Sequence, residues 1–246
     1  MPYYQHIAIT GASSGLGRAL ALGLARPGAV LHLTGRDAVR LAEVARAVRA
    51  QGAQASETIM DVTDAPAMEA WVLGHAELDL VIANAGVSAG PGKANQETAV
   101  QLRTVFATNV DGVFNTVLPA MARKTPRIVI IGSIAGLIAL PTSPAYSAAK
   151  ATLDFWVQAA APGAARDGIA LTLVRPGFVR TPMTAKNPYT MPGLMDAEQA
   201  AKIIITGIEK GQRFITFPWW FAAFARLGNL LPKSIFARVP GKPAQE

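Results

Sequence analysis

Short apolar segments alternate with helical patterns along most of the 246-residue chain, and this alternation limits the fold more than any other feature. Runs such as 6–10, 30–34 and 128–131 are rich in Ile, Val and Leu, as expected for strands buried on both faces of a parallel sheet. Helical crossovers between such strands are right-handed in nearly all proteins. The pattern predicts an α/β fold with a doubly wound parallel sheet, whose ligands bind at the carboxyl ends of the strands.

The length and composition favour one domain with a large core. A chain of 246 residues could form two small domains, but single α/β domains commonly reach this size, so we expect one domain over 1–246. Hydrophobic residues make up 51% of the chain and charged residues 16%, which suits strands covered on both faces. Cysteine is absent, and the three histidines lie in separate segments (His6, His32, His75), so disulfides, thiol catalysis and a metal site are not expected.

The net charge of +7 raises the question of nucleic-acid or membrane binding. The sequence has no basic run and no arginine-rich helix interleaved with aromatic residues, so nucleic-acid binding is not expected. An anionic cofactor or an anionic membrane surface explains the charge more simply. No basic and apolar leader precedes the first strand, and the longest apolar stretch, 128–140, contains Ser133 and is too short to span a bilayer. These features predict a cytoplasmic protein.

A glycine-rich turn joins the first strand to the first helical segment. Glycines in such a turn let the backbone approach a pyrophosphate, and the following helix N-terminus offers unpaired N–H groups. The spacing is GxxxGxG rather than GxGxxG, and the turn by itself fits either a cofactor site or a plain strand-to-helix connection. As cofactor contacts the turn offers Gly11, Ser13, Ser14, Gly15, Leu16 and Gly17.

The end of the second strand bears on the choice between NAD and NADP. An enzyme that uses NAD carries an acidic residue about 20 residues beyond the glycines, where it binds the ribose. Gly35 holds this position here, and Arg36 follows it. An arginine at this point can pair with the 2′-phosphate of NADP, so the sequence favours NADP(H) over NAD(H). In the alternative, Arg36 is merely solvated and Asp37 caps the helix at 38–50.

Tyr146 and Lys150 are spaced for acid–base chemistry. If residues 146–150 are helical, the two side chains lie about one turn apart on one face. A fixed cation close to a phenol favours the phenolate and lowers the tyrosine pKa, which would let Tyr146 carry protons near neutral pH. Ser133, which follows the strand 128–131, can hold the same substrate oxygen. On the YxxxK spacing alone, these residues could equally be ordinary surface or turn residues.

Other candidate residues lie at strand ends or interrupt apolar segments. Asn109 falls among apolar residues in a helical stretch from Glu97 to about 122; a buried asparagine is usually a satisfied core amide, but this one could also kink the helix and hold a water. A loop rich in proline and methionine, 182–195, is long enough to cover a bound ligand. Asp196 is expected to cap a helix that reaches about 211. The strand-end residues are Asp61, Val62, Asn84, Ala85, Gly86, Pro176, Gly177, Val179 and Thr181.

Taken in order, these motifs resemble the short-chain dehydrogenase/reductase family. The resemblance covers about residues 6–217 and includes Ser133 thirteen residues before Tyr146. Any one motif could arise by chance, whereas the ordered set is highly specific. The resemblance implies a single Rossmann-like domain whose seven-stranded parallel sheet, in the order 3-2-1-4-5-6-7, binds a nicotinamide cofactor.

The resemblance also implies roles for individual residues. Tyr146 would be the general acid or base, Ser133 would orient the carbonyl, Lys150 would bind the nicotinamide ribose and lower the tyrosine pKa, and Asn109 would hold a water that links Lys150 to solvent. Cofactor contacts would come from Asp61 and Val62 at the adenine, from Asn84, Ala85 and Gly86 beside the cofactor, and from Val179 and Thr181 at the carboxamide. Such an enzyme is expected to form a homo-oligomer.

Two further segments depart from the family pattern. Pro162-Gly163 falls in the helix after Lys150 and is expected to break or kink it, which puts the dimer geometry of the family in doubt. An aromatic and basic extension, 218–246, follows the last strand at 213–217. Aromatic residues and cations on a short helix can lie in a membrane interface, or the aromatic residues can pack over the substrate cleft or a partner subunit. The basic residues from 213 onward are Arg213, Arg226, Lys233, Arg238 and Lys242, against one acidic residue, Glu246.

Three functional hypotheses follow from the sequence. The leading one is an NADP-dependent oxidoreductase that interconverts a mostly apolar ketone or aldehyde and its alcohol. The second is an NADP-binding regulatory or scaffold protein that keeps the fold without the chemistry, and the third is a reductase of a lipid substrate at a membrane surface. The complete set Asn109, Ser133, Tyr146 and Lys150 favours an enzyme over a scaffold.

Overall fold

The computed structural model describes residues 4–88, 97–140, 142–187 and 190–228. The strands, in chain order, are β1 (His6–Thr10), β2 (Val30–Gly35), β3 (Gln54–Ile59), β4 (Leu80–Ala83), β5 (Arg127–Ile131), β6 (Ala170–Pro176), β7 (Val179–Arg180), β8 (Met195–Asp196) and β9 (Phe214–Phe217). Seven of them form a parallel sheet in the order β3-β2-β1-β4-β5-β6-β9, and β7 pairs with β8 beside it. This order confirms the predicted doubly wound, seven-stranded sheet.

Helices cover both faces of the sheet. They are α1 (Gly15–Leu24), α2 (Ala38–Ala50), α3 (Ala65–Gly74), α4 (Ala99–Phe106), α5 (Gly112–Ala122), α6 (Pro144–Arg166), α7 (Ala197–Glu209) and α8 (Trp219–Gly228). Ile7 and Ile9 of β1 pack in a buried cluster with α1, α2 and α7, whereas Ala8 packs in a second cluster with α3, α5 and α6. Because successive strand residues point to opposite faces, one apolar strand supplies both layers of the core. No helix within the described ranges is long and apolar enough to cross a bilayer.

The helical stretch around Asn109 is interrupted. Helix α4 ends at Phe106, a π-helical turn runs over Ala107–Asp111, and α5 begins at Gly112. Single π turns inside helices are frequent at functional sites. The predicted helical stretch is therefore right in extent, but it is two helices joined by the turn that carries Asn109.

Pro162-Gly163 was predicted to break or kink the helix, and the predicted break is wrong. Helix α6 runs without interruption from Pro144 to Arg166. Pro162 is exposed, so water can bond the carbonyl that loses its helical partner, while Val157, Ala161 and Ala164 remain buried on the core side of the helix. Burial of that apolar face outweighs the local cost of the proline.

Two aspartates precede helices, but only one of them caps with its side chain. Asp37 accepts a hydrogen bond from the backbone N–H of Arg40 and so caps α2, as one of the alternatives predicted. Asp196 occupies the cap position of α7 without a side-chain cap bond. Its carboxylate instead accepts a hydrogen bond from Arg180 Nε at 2.9 Å, across the β7–β8 pair. The predicted position of this cap is right and the predicted interaction is wrong, because the exposed carboxylate pairs with a guanidinium instead.

Candidate active site

A cleft of about 290 Å³ lies at the carboxyl ends of the strands, where such sheets bind ligands. All residues predicted as cofactor contacts line it, together with Ser133. Asn109 does not line the cleft and lies behind it. The predicted residues in the lining are Gly11, Ser13, Ser14, Gly15, Leu16, Gly17, Arg36, Asp61, Val62, Asn84, Ala85, Gly86, Ser133, Tyr146, Lys150, Pro176, Gly177, Val179 and Thr181.

The glycine turn packs so closely against neighbouring protein atoms that side chains would not fit at its glycines. Gly11 and Gly15 have φ angles of +65° and +52°, which favour glycine. A Cβ on Gly17 would overlap the carbonyl oxygen of Gly11, and one on Gly11 would lie 2.8 Å from the Cα of Ala85. The Ser14 hydroxyl does not cap α1, so the first N–H groups of this helix are not satisfied by a local cap. The turn therefore fits a dinucleotide pyrophosphate.

Asn84 ties the end of β4 to the glycine turn. Its Nδ2 donates to the carbonyl oxygens of Thr10 at 2.9 Å and Gly11 at 3.2 Å. The hydroxyl of Thr10 in turn accepts hydrogen bonds from the backbone N–H groups of Asn84 and Ala85. These bonds fix the distance between the ends of β1 and β4, which both line the cleft. The conformation of the glycine turn is therefore stabilised by contacts with β4.

Two arginines flank the outer end of the cleft. Arg36 Nη1 lies 3.3 Å from Asp61 Oδ2, and Arg40 Nε donates to Asp37 Oδ2 at 2.7 Å. The backbone hydrogen bond from Arg40 is the main cause that lowers the pKa of the Asp37 carboxyl. Arg40 was not among the predicted contacts, although it stands three residues after Asp37, the residue that caps α2, a spacing at which the two side chains can pair.

Tyr146, Ser133 and Lys150 meet at the inner end of the cleft. The helix α6 carries Tyr146 and Lys150 on one face, with Lys150 Nζ 5.8 Å from the centroid of the tyrosine ring. Lys150 is only 4% exposed, and its Nζ donates to the carbonyl oxygen of Ile131 at 2.8 Å. Ser133 follows β5, and its hydroxyl accepts a hydrogen bond from the backbone N–H of Ala135 at 3.0 Å. The predicted helical spacing of Tyr146 and Lys150 is therefore present.

The pKa of Tyr146 differs from the sequence-based expectation. Burial raises the pKa of its phenol, and the hydrogen bond with Ser133 acts in the opposite direction to a smaller extent. Burial also lowers the pKa of Lys150 to about 8. The prediction that Lys150 lowers the pKa of Tyr146 is therefore wrong for the protein alone, because the loss of hydration has the largest effect on the phenol. Tyr146 is thus a neutral hydroxyl donor at pH 7.

Asn109 positions a segment of the cleft through its side-chain amide. The residue is fully buried, its Oδ1 accepts from the backbone N–H of Val87 at 2.8 Å, and its Nδ2 donates to the carbonyl oxygen of Val87 at 2.8 Å. A Cβ on Gly86 would lie 3.2 Å from Asn109 Oδ1 and 3.8 Å from Lys150 Nζ. Asn109 thus stands close behind the site, and its direct partner is Val87, which lines the cleft.

Several lining residues were not predicted. They have no motif of their own: most neighbour strand ends, whereas Arg40 lies in α2 and Thr108 in the π-helical turn. The unpredicted residues are Gly35, Asp37, Arg40, Met60, Val87, Thr108, Ile131 and Gly132. Pro182, Met183 and Thr184 also line the cleft and begin the loop 182–195 that was predicted to cover a ligand; the Thr184 hydroxyl donates to the carbonyl oxygen of Val179 at 2.7 Å. Among the described residues, no group of three or more histidine or acidic side chains is arranged to hold a metal ion.

Comparisons with known proteins agree with this geometry. A family model described as short chain dehydrogenase matches residues 5–191. An uncharacterized oxidoreductase of Myxococcus xanthus is 36% identical over 241 residues, which are 95% of each chain. A 3-dehydrosphinganine reductase of Arabidopsis thaliana is 30% identical over 231 residues, which cover 87% of this chain and 70% of the relative.

Solved structures extend the likeness to the whole chain. A short-chain dehydrogenase from Sphingobium yanoikuyae in complex with NADPH has a TM-score of 0.81 and 25% identity, and the match covers 98% of this chain and 99% of that one. A short chain dehydrogenase/reductase from Burkholderia phymatum in complex with NAD has a TM-score of 0.84, 24% identity and full coverage of both chains. Together with the matched family model, these similarities show that the chain belongs to the short-chain dehydrogenase/reductase family of oxidoreductases.

Proposed function

We propose that the protein is an NADP(H)-dependent oxidoreductase that interconverts a mostly apolar ketone or aldehyde and its alcohol. The observation that carries this proposal is that Tyr146, Ser133 and Lys150 meet at one end of a cleft whose other end has a glycine turn and two arginines. One arrangement can thus hold a dinucleotide and place a proton donor beside its reactive end. A regulatory or scaffold protein without chemistry has no need of this complete set.

The residues of the cleft suit the parts of the cofactor. The glycine turn would hold the pyrophosphate, Asp61 and Val62 the adenine, and Val179 with Thr181 the carboxamide. Lys150 would bind the nicotinamide ribose. When bound, the nicotinamide would supply a hydride to the carbonyl carbon in the reduction, or accept one from the alcohol in the oxidation.

Tyr146 would transfer the proton that accompanies this reaction. Because burial raises its pKa, the phenol is protonated at neutral pH and can donate to the carbonyl oxygen, which becomes the hydroxyl of the alcohol. The Ser133 hydroxyl would hydrogen-bond to the same oxygen and orient it. Lys150 would return a proton toward Tyr146, and Asn109, which holds Val87 next to Gly86, would keep this part of the cleft in position.

The preference for NADP(H) is supported by the charge at the outer end of the cleft. Arg36 and Arg40 both line it, and Arg36 is exposed enough to turn toward a ligand. Each guanidinium has one carboxylate partner at present and retains further N–H donors for a phosphate. The neighbour from Sphingobium yanoikuyae binds NADPH, which agrees with this preference, although the one from Burkholderia phymatum binds NAD.

A panel of ketones, aldehydes and alcohols, measured with both NADPH and NADH, tests the proposal. We expect turnover of apolar carbonyls with a higher kcat/KM for NADPH. In the variant Arg36→Ala, the KM for NADPH should rise about tenfold, as expected for the loss of one charged hydrogen bond, while the KM for NADH should change little. Equal or better use of NADH by the unaltered protein would contradict the cofactor assignment, and no turnover with either cofactor would contradict the enzyme.

A second candidate function places the same chemistry at a membrane surface. Trp219 is 77% exposed and Leu227 is 60% exposed, and their spacing puts both on the outer side of α8. The basic residues beyond 228 lie outside the described part of the chain. Flotation of the full chain with vesicles of anionic lipid, compared with the variant Trp219→Ala, tests this candidate. Binding that the variant weakens is expected, and failure of the full chain to float would rule the candidate out.

A further inference from the structure

Helix α8 follows β9, the edge strand of the sheet that is farthest from the glycine turn. Its inner face consists of Trp220, Phe221 and Ala222. In the strand order, the glycine turn follows β1, Ser133 follows β5, and α8 follows β9 at the opposite edge. A dinucleotide that extends from Arg36 to Lys150, with its carboxamide at Val179 and Thr181, therefore ends at the carboxyl ends of β5 and β6. The region beyond it, toward β9 and α8, is left for the groups attached to the reacting carbonyl.

Helix α8 contacts the turn that carries Ser133. The 3₁₀ turn Ile134–Leu137 begins directly after this serine. Ile134 and Ala222 share a buried cluster, against which Leu137, Ile138 and Phe221 also pack. The serine that would orient the carbonyl oxygen is thus followed by an apolar turn, and α8 packs against this turn.

Helix α8 also contacts the segment on the other side of the substrate region. The rings of Phe178 and Phe221 stack with their centroids 5.9 Å apart, and the rings of Trp220 and Phe221 lie 5.7 Å apart. A Cβ on Gly193, whose φ is +69°, would approach Trp220 Cζ2 to 3.1 Å. Only glycine suits so close an approach in this conformation. Trp220 therefore rests directly against the backbone of the predicted lid, 182–195.

All side chains of this group are apolar and uncharged. Ile134, Leu137, Phe178, Trp220 and Phe221 come from three separate segments, and α8 joins them. A charged group on the substrate would lose its hydration here without an ionic partner among these five side chains, whereas an alkyl or aryl group would gain from burial. The adjacent Trp219 takes no part, because its side chain faces outward.

We infer that the inner face of α8, through Trp220 and Phe221, determines the substrate specificity of the site and selects carbonyl compounds with a large uncharged apolar substituent. This inference deepens the proposed function and rests on it. Trp220 and Phe221 act by positioning the 3₁₀ turn that follows Ser133 and the backbone around Gly193, which border the substrate region. Neither of the two aromatic residues lines the cleft itself.

The test compares two neighbouring tryptophans. Trp220→Ala and its control Trp219→Ala are assayed with methyl ketones from 2-butanone to 2-undecanone, at saturating NADPH. We expect Trp220→Ala to lower kcat/KM for the longest ketone about tenfold or more, in the range known for apolar pocket contacts, and for 2-butanone by less than about threefold. Trp219→Ala should leave the whole series unchanged. A loss by Trp220→Ala that is equal at every chain length, or no loss, would overturn the inference.

Binding without turnover separates this inference from the proposed reaction. In the variant Tyr146→Phe loaded with NADPH, calorimetric titration with 2-undecanone should show binding that the added substitution Trp220→Ala weakens and Trp219→Ala does not. If the unaltered protein reduces no ketone but this binding pattern holds, the proposed reaction is wrong and the inferred role of Trp220 in specificity is supported. If ketones are reduced but the binding pattern is absent, the inferred role of Trp220 is wrong. Trp220→Leu, which keeps apolar bulk, provides the same comparison if Trp220→Ala unfolds, and the melting temperature shows which variant to use.

Discussion

The two ends of the cleft are built in different ways. At the nucleotide end, Gly11, Gly15 and Gly17 present backbone without side chains, and Asn84 donates hydrogen bonds to the carbonyl oxygens of Thr10 and Gly11. At the substrate end, apolar side chains of the 3₁₀ turn after Ser133 and of α8 pack together behind the cleft. Backbone groups of the glycine turn can bind the pyrophosphate that every dinucleotide has, whereas a region formed by side chains changes with each substitution. This difference explains how one fold can keep its cofactor site while its substrates differ.

The largest expected effect concerns the free energy of unfolding, and it comes from a buried ion pair between the two ends of the cleft. Asp154 lies one helical turn beyond Lys150, and its Oδ1 accepts from Arg175 Nη2 at 2.9 Å. Both residues are almost fully buried, and Arg175 directly precedes Pro176-Gly177 of the cleft. In the variant Asp154→Ala the buried guanidinium loses its partner, so the free energy of unfolding should fall by about 3–5 kcal/mol.

The control for this prediction is the exposed pair between Arg180 and Asp196. Asp196→Ala should change the free energy of unfolding by less than about 1 kcal/mol, because solvent screens the pair and the side chain makes no cap bond. Urea unfolding of both variants measures the difference. Equal stability changes in the two variants would show that the buried pair does not stabilise the region between the two ends.

Substitution of one glycine at each end separates the two kinds of surface. In Gly17→Ala the new methyl group meets the Gly11 carbonyl, and the backbone must shift at a cost of about 1–3 kcal/mol, so the Kd for NADPH should rise about 10-fold to 100-fold. In Gly193→Ala the positive φ is unfavourable and the new methyl group meets Pro218 and Trp220, so the KM for a long ketone should rise while the Kd for NADPH stays the same.

Gly74→Ala serves as the control, because a Cβ there meets no other atom within 4 Å. Fluorescence titration with NADPH and steady-state kinetics give both quantities for all three variants. If Gly193→Ala weakened NADPH binding as much as Gly17→Ala, the two ends would not be separate, and the comparison would fail.

The pH dependence of ketone reduction should show a smaller effect. Both Tyr146 and Lys150 must be protonated for proton donation, and the pKa of Lys150 is lowered to about 8 by burial, while that of Tyr146 is raised. Loss of the lysine proton therefore comes first as pH rises. We expect kcat/KM for reduction to be level below pH 7 and to fall to about half near pH 8. A profile that stays level to pH 10 would show that Lys150 has no part in proton transfer.

The nucleotide end could be predicted from the sequence to a greater extent than the substrate end. The parallel, doubly wound sheet and the lining of the nucleotide end follow from local patterns, namely apolar runs, a glycine turn and residues at strand ends, whereas the strand order came from the resemblance to the family. Asn109 was recognised as polar and buried, but its partner Val87 lies 22 residues away and no local pattern links the two. The same holds for Trp220 and Gly193, whose contact depends on how α8 folds back over the sheet.

Errors in the sequence-based predictions have a related cause. Pro162 does not break α6, because the rule for proline considers one helix, whereas the buried face of α6 is held by the rest of the core. The pKa of Tyr146 is raised rather than lowered, because the spacing to Lys150 reveals the cation and not the degree of burial. Local spacing predicted which groups meet, and the surrounding packing decided how they behave.

The substitution Tyr146→Phe tests the central claim most directly, because it removes one hydroxyl and keeps the ring. With a ketone that the unaltered protein reduces, kcat should fall by roughly 10²–10⁴-fold, as expected for loss of a general acid, while the Kd for NADPH stays the same. Circular dichroism and the melting temperature would establish that the variant is folded. Turnover of the folded variant at a near-normal rate would contradict the account, since the proton would then come from another group.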